Sequence, residues 1–486
     1  MTAILAVDQG TSGTKALVHD GERTLSVVEV PVRPAYLDGG RVEVDPLDLL
    51  ESVRQAGTRA LREAGDPPLA AVSLANQGES VLAWDPMTGR PLSTVLVWQD
   101  GRAQDVCADL AEHADFVRRR TGLMLDPYFS APKMAWLRRH ATREGVVTTT
   151  DSWLVHQLTG AFVTDATTAS RSLLLDLDEV AWDPDLLALF GLDDEALPRV
   201  VRCDEVVGGT SMFASRSGAS RSGAEVPVAG LVVDQQAALV AERCLDPGLV
   251  KCTYGTGAFL LGATGERAAR SAHGLTSSLA WSLRRSTGYC LDGQVYTAGS
   301  AVRWLVDLGL LSAPDALDAE AAGDSGGACF VPGLAGLAQP WWNPEPCGSF
   351  TGLGLATTPG RLIRAVVEGL AAQVATLAQA MSADIGVPLT RLRVDGGLTR
   401  SRALMQAQAD LLQVPVDVYP SPHATALGTA ALARLALDEE LSLPAAIDVW
   451  SPARSFEPIW TERRAAEAMA RWEQAARSAA ARKDNP

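Results

Sequence analysis

The sequence predicts an α/β chain built from two similar domains, and three observations carry that prediction. Its 486 residues exceed one compact domain and suit two of about 240 residues each. The opening residues read as strand, strand, strand, helix, strand, which is the order of a mixed α/β layer fold. A motif of strand, Gly-Thr turn and strand around Val7-Asp8-Gln9-Gly10-Thr11 returns around Thr253-Tyr254-Gly255-Thr256-Gly257, so two copies with facing loops are expected.

Each element has a local reason. Residues 4–7, 15–18 and 25–30 are apolar runs of strand length, and Asp20-Gly21 predicts a two-residue hairpin turn between the last two. Asp45 followed by Pro46 starts a helix, with Leu49, Leu50 and Val53 at helical spacing, and 71–74 is the next strand. In the second half, 249–253 and 258–261 repeat the strand pair. Ile363, Val366, Val367, Leu370, Val374 and Leu377 fall on one helical face. Residues 392–394 form a strand that runs into Asp395-Gly396-Gly397, a helix starts near Ser401, and Val414, Val416 and Val418 alternate as a strand. The stretch 462–482 predicts an exposed helix pinned by Trp472. A tandem SRSGA repeat at 215–224 reads as a flexible loop.

Composition limits the function classes. A net charge of −16 argues against nucleic acid and against anionic membrane faces, both of which need clustered positive charge. Seven cysteines with no C-x-x-C pair suggest neither a disulfide framework nor a zinc site, and fit a reducing compartment. The chain opens directly into a strand-like run, without a signal-peptide pattern, and no apolar run reaches membrane-spanning length. A soluble, cytoplasmic protein is expected.

Three places can carry chemistry. The two Gly-Thr turns can point successive amides into an anion nest, with Thr and Ser hydroxyls as further donors and Lys15 at the edge; an ordinary hairpin would use the same residues. Asp8 is a hard-oxygen partner suited to a phosphate-bound magnesium ion. Asp395-Gly396-Gly397 joins strand to helix, and either lets a ligand lie against the backbone or is simply a tight turn. Asp234, where an apolar strand gives way to a helix, is either a general base with Gln235 holding the substrate, or a helix N-cap.

Together these segments resemble the FGGY family of carbohydrate kinases, most closely its glycerol kinases, from Ile4 to about Leu437. The resemblance rests on Asp8-Gln9-Gly10-Thr11, on Tyr128-Phe129-Ser130-Ala131-Pro132-Lys133-Met134-Ala135-Trp136-Leu137, on the segment 230–239 with Asp234-Gln235-Gln236, on Lys251-Cys252-Thr253-Tyr254-Gly255-Thr256-Gly257, on 348–368 and on Val394-Asp395-Gly396-Gly397. It implies an actin-like ATPase architecture of two RNase H-like α/β domains, 1–243 and 244–486, with ATP and substrate in the cleft between them. It places Thr11, Ser12, Gly13, Lys15, Thr256, Gly299, Arg303 and Gly397 on the nucleotide, and Asp8 beside Mg2+. Glu79, Trp98, Tyr128, Asp234, Gln235 and Phe259 fall in the acceptor pocket, with Asp234 as general base. A homodimer or homotetramer is compatible with it.

The implied reaction is phosphoryl transfer from ATP to a hydroxyl of a small polyol or sugar, glycerol foremost. A longer polyol or ketopentose (erythritol, xylulose or ribulose type) is the alternative acceptor, and a non-catalytic nucleotide-driven module is the alternative class. The chain departs from the glycerol kinases at Asn76-Gln77-Gly78-Glu79-Ser80, where Gly78 stands in place of an arginine. That exchange predicts empty volume and a lost charge-assisted contact of roughly 1.5–3 kcal/mol. Lys15 stands where those kinases carry arginine, which keeps the charge but not the fork. Asp100 and Arg102, in a stretch similar to pentulose kinases, either hold a larger substrate or form a structural ion pair. No histidine lies between Cys203 and Gly230, so phosphohistidine control in that loop is not expected.

Overall fold

The computed structural model describes residues 2–214, 225–343 and 345–481, and the 215–224 repeat lies outside the described residues. In the N-terminal half a six-stranded sheet runs in the order Gly208–Thr210, Val226–Val233, Leu69–Asn76, Ala3–Gln9, Gly13–His19, Thr24–Pro31. The last three strands are the expected antiparallel meander, and Leu69–Asn76 and Val226–Val233 lie parallel to the first. In the C-terminal half a seven-stranded sheet runs Thr276–Ser282, Thr287–Val295, Ala258–Gly265, Leu249–Tyr254, Arg391–Asp395, Val416–Val418, Arg454–Phe456.

The two sheets share one plan. In each, an antiparallel hairpin leads, its first strand is flanked by two parallel strands reached through helices, and a short antiparallel strand closes that edge. The repeat of strand and Gly-Thr turn therefore marks a repeat of topology. Because the parallel strands of one sheet point the same way, their carboxyl ends open on one edge, where ligands of α/β sheets collect.

Local chemistry accounts for several boundaries. Asp45 accepts from the Leu47 amide at 2.8 Å and Pro46 takes the first position of helix Pro46–Glu63. Helix Pro359–Ile385 buries Ile363, Val366, Val367, Leu370, Val374 and Leu377, the predicted face. Helix Glu462–Ala480 is fixed by buried Trp472, whose indole donates to the Phe330 carbonyl at 3.0 Å. The Asp20-Gly21 turn differs from expectation and spans four residues. Asp20 Oδ1 accepts from the amides of Glu22 and Arg23, so the side chain closes a longer loop, and the strand register shifts at Val18/His19.

The halves are tied by two crossing helices, Asp234–Ala241 and Ala424–Leu437. Helix Ala424–Leu437 also lies against the N-terminal strands Ala3–Gln9 and Val226–Val233. Gly428 sits at the crossing, where a Cβ would overlap the Ala237 carbonyl, and Thr429 Oγ1 donates to the carbonyl of Gly230.

Candidate active site

Four acids reach the edge between the sheets because each lies at or just past a strand's carboxyl end. Asp8 is next to last in Ala3–Gln9, Glu79 follows Leu69–Asn76, Asp234 follows Val226–Val233, and Asp395 ends Arg391–Asp395. Asp8 faces Lys15 across the hairpin, and Asp395 faces Thr253 across the parallel pair.

The two Gly-Thr turns form matched loops. The Gly10 amide donates to the Gly13 carbonyl at 3.0 Å, which leaves Thr11 and Ser12 at the tip. The Gly255 amide donates to Gly257 at 2.9 Å and leaves Thr256 exposed. Gly299 packs on this second loop, where a Cβ would stand 2.6 Å from the Gly255 carbonyl, and the Ser300 amide donates to the Thr256 carbonyl at 3.1 Å. Arg303 projects from the exposed side of helix Gly299–Asp307. In the Asp395-Gly396-Gly397 turn the steric demand falls on Gly396, at φ 93° against the Tyr254 backbone, while Gly397 has open space beside it.

The predicted aromatic wall assembles. The Trp98 ring lies 5.4 Å from Tyr128 and 6.3 Å from Phe259, both edge-on. Trp98 Nε1 donates to Thr11 Oγ1 at 2.8 Å, so the wall touches the tip of the first Gly-Thr loop. Tyr128 is held from below by Lys133. This fully buried lysine donates to the carbonyls of Pro127 (2.7 Å), Tyr128 (2.6 Å) and Phe129 (2.7 Å), and burial pulls it down to about 8.

Asp234 is the first residue of its helix, and Val233 takes the cap position. Its Oδ1 accepts from the adjacent Gln235 amide at 2.6 Å, so it does not serve the second and third amides as an N-cap side chain would. Burial, with the charges of Asp8 and Glu79, pushes Asp234 up to about 7 against the pull of Lys251. Asp8 is pushed up to about 6, again mainly by burial, with Lys15 opposing. A carboxyl near 7 is poised to take a proton at neutral pH.

Three residues of the site escaped sequence reasoning. Buried Arg171, just after the short helix Ala166–Ala169, pairs through Nε with Glu79 and through Nη1 with Asp292 Oδ2 at 2.5 Å. Asp292 carried a signal, since it is the one acid in the buried strand Thr287–Val295. Lys251 was visible only as part of a loop motif, yet its Nζ donates to Gln235 Oε1 at 2.5 Å. Glu79 itself sits at φ 62°, a left-handed conformation uncommon outside glycine and held here by the surrounding contacts.

Two expectations meet the structure here. At Gly78 a Cβ would lie 2.9 Å from Val233 Cγ2, its one neighbour within 4 Å, so Val233 crowds the root of any side chain at that position. Asp100 and Arg102 bind each other, with Arg102 Nε and Nη2 on Asp100 at 2.8 and 2.7 Å. Glu43 takes a further contact at 2.7 Å, and the Val42 amide donates to Asp100 Oδ2 at 2.6 Å, so the pair is a structural clamp.

A magnesium ion suits this donor set. It takes one or two carboxylates and keeps several waters, and Asp8 is a half-buried acid at the cleft, with Asp395 Oδ1 nearby lacking a partner among the described residues. No cluster of three or more His, Cys, Asp or Glu ligands occurs among the described residues, so an all-protein metal cage is not what these residues offer.

Two α/β domains with paired Gly-Thr loops, and an aromatic wall beside the first of them, are the plan of a phosphotransferase of the actin-like ATPase class, and the comparisons agree. The model for the N-terminal domain of the FGGY family of carbohydrate kinases matches residues 3–241, and that for its C-terminal domain matches 250–437. The chain belongs to the FGGY family of carbohydrate kinases. It is 40% identical to a glycerol kinase of Leptothrix cholodnii, over 99% of this chain and all of that protein, and 41% identical to one of Trichlorobacter lovleyi, over 98% of each. Its fold superposes on a crystal structure of Plasmodium falciparum glycerol kinase with ADP at a TM-score of 0.89 and 27% identity, covering 99% of this chain and 98% of that one.

Proposed function

We propose that the protein transfers the γ-phosphoryl group of ATP to a primary hydroxyl of glycerol, giving glycerol 3-phosphate and ADP. The observation that carries the reading is the Trp98–Thr11 hydrogen bond, which sets an acceptor wall directly against a phosphate-binding loop. The glycerol kinases 40% and 41% identical along nearly the whole chain support the choice of acceptor. A chaperone or filament would have no use for the wall of Trp98, Tyr128 and Phe259.

The apolar faces of the wall take the carbon skeleton, while Glu79, Gln235 and Tyr128 meet hydroxyls. Asp234 accepts the proton of the attacking hydroxyl as its oxygen bonds to phosphorus and the bond to the ADP oxygen breaks. Thr11, Ser12, Gly13 and Thr256 line the phosphates through amides and hydroxyls, and Lys15 adds a cation. Gly299, Arg303 and Gly397 border the nucleoside side. Asp8 would hold Mg2+ through its water shell. When bound, the ion neutralises phosphate charge. This reading divides the chain at 243/244 and places it in the cytoplasm, where seven free cysteines are at home. No helix among the described residues is long and apolar enough to cross a membrane.

An ADP-release assay with magnesium ATP and a panel of glycerol, erythritol, pentitols, xylulose and ribulose tests the reading. The expected result is the highest kcat/KM for glycerol; a clear preference for a longer acceptor would overturn the assignment.

A further inference from the structure

The family likeness leads one to expect a guanidinium at position 78, yet the acceptor pocket still contains one, from a different part of the chain. Arg171 has its Cζ 5.9 Å from the Tyr128 ring centre and 5.4 Å from that of Phe129, against the same aromatic wall. Its Nε holds Glu79 in the N-terminal half and its Nη1 holds Asp292 in the C-terminal half, so one side chain spans the cleft. Among the described residues its Nη2 makes no hydrogen bond, and Asp292 Oδ1, though buried, has no partner. At position 78 itself a Cβ would crowd Val233 Cγ2 at 2.9 Å.

We infer that Arg171 is the positioning residue of the acceptor pocket, holding Glu79 oriented and ionised as a hydrogen-bond acceptor for the substrate while tying that carboxylate to Asp292 across the cleft. This rests on the reading of the pocket as a polyol site. A buried carboxylate without its cation takes up a proton and then offers a hydroxyl where the substrate needs an acceptor. Glu79 is already raised by burial, and Arg171 is the larger of the two cations opposing it, ahead of Lys133. The remaining groups that face it, Asp292, Tyr128 and Asp234, are acids and give it no help. Loss of Arg171 therefore leaves acceptor binding weak, and weaker still as pH falls. The same loss releases Asp292, so binding of the acceptor and apposition of the two halves weaken together. Nucleotide binding, which uses the loops around Thr11 and Thr256, does not depend on this triad.

The test uses the full chain with Arg171→Met, Arg171→Lys and Asp292→Asn, each titrated calorimetrically with glycerol from pH 6.5 to 9 and separately with magnesium ATP, alongside steady-state kinetics. For Arg171→Met the glycerol Kd should rise roughly ten- to hundredfold, and rise further towards low pH, while the ATP Kd stays within about twofold. Arg171→Lys should recover part of the affinity and flatten the pH dependence, and Asp292→Asn should show a smaller loss with ATP binding intact. Unchanged glycerol affinity in Arg171→Met overturns the proposal, and so does a parallel loss of ATP binding in all three variants, which would mark a purely structural role. A wild-type enzyme silent towards every acceptor would instead overturn the reading of function on which the proposal rests, and the proposal with it.

Discussion

Lys251, fully buried in the strand Leu249–Tyr254, donates from Nζ to the side-chain oxygen of Gln235, the residue next to Asp234. That bond turns Oε1 towards Lys251 and leaves the NH2 of Gln235 free to donate, so the orientation of the amide is set from the opposite half of the molecule. Lys251 also bonds Thr253 Oγ1 at 2.7 Å, which fixes the ammonium between the two sheets.

Replacing Lys251 by Met should therefore act on Gln235 and Asp234 together. The acceptor KM should rise roughly tenfold as the Gln235 amide loses its register. The charge of Lys251 lowers Asp234, so its removal should move the acid limb of the kcat/KM profile to higher pH. A pH profile identical to that of the wild type would show that Lys251 does not act on Asp234.

On the proposed reading, Asp234 as the base sets the pH dependence of the wild-type enzyme. Its carboxyl, raised to about 7, must be ionised to take a proton. Hence kcat/KM should be full above that value and fall about tenfold per pH unit below it. Asp234→Asn should reduce kcat by roughly 10²–10⁴ with ATP affinity within about twofold of the wild type. A flat profile between pH 5.5 and 8.5, or near-normal turnover in Asp234→Asn, would remove Asp234 as the base.

Much of this was legible in the sequence, and the rest was hidden for physical reasons. Strand runs, the Asp45-Pro46 helix start and the face of Ile363 to Leu377 are local patterns, and each appears where its pattern lies. Thr11, Trp98, Tyr128 and Phe259 could be named from motifs, and the fold brings them together. Arg171 could not be named, because nothing in Ala169-Ser170-Arg171 shows that the arginine is buried between Glu79 and Asp292, 92 and 121 residues away along the chain. The approach of Val233 to Gly78 is likewise a contact between distant segments, and a glycine in sequence reads only as a missing side chain.

Lys133 should prove mainly a matter of stability. Lys133→Met leaves the carbonyls of Pro127, Tyr128 and Phe129 without their buried donor, at a cost of about 3 kcal/mol or more. Urea unfolding should show a lower midpoint, and a rise in acceptor KM should accompany it because Tyr128 loses its support. A loss below about 1 kcal/mol would mean that water or a backbone shift replaces the ammonium.

The packing of Gly78 against Val233 calls for a paired experiment. Gly78→Arg alone places a Cβ 2.9 Å from Val233 Cγ2, and such overpacking should cost about 1–3 kcal/mol without improving glycerol affinity. Val233→Gly alone removes a buried side chain beside the base and should also destabilise. Combined, the arginine stem can run through the space the valine vacates. The double variant should then be more stable than the sum of the single losses by about 1 kcal/mol or more. A fork that reaches the acceptor should lower the glycerol KM roughly tenfold relative to Val233→Gly. Unfolding midpoints and glycerol KM for all four proteins complete the cycle. Strict additivity in both would mean that positions 78 and 233 do not share the space, and that the missing arginine is accommodated in some other way.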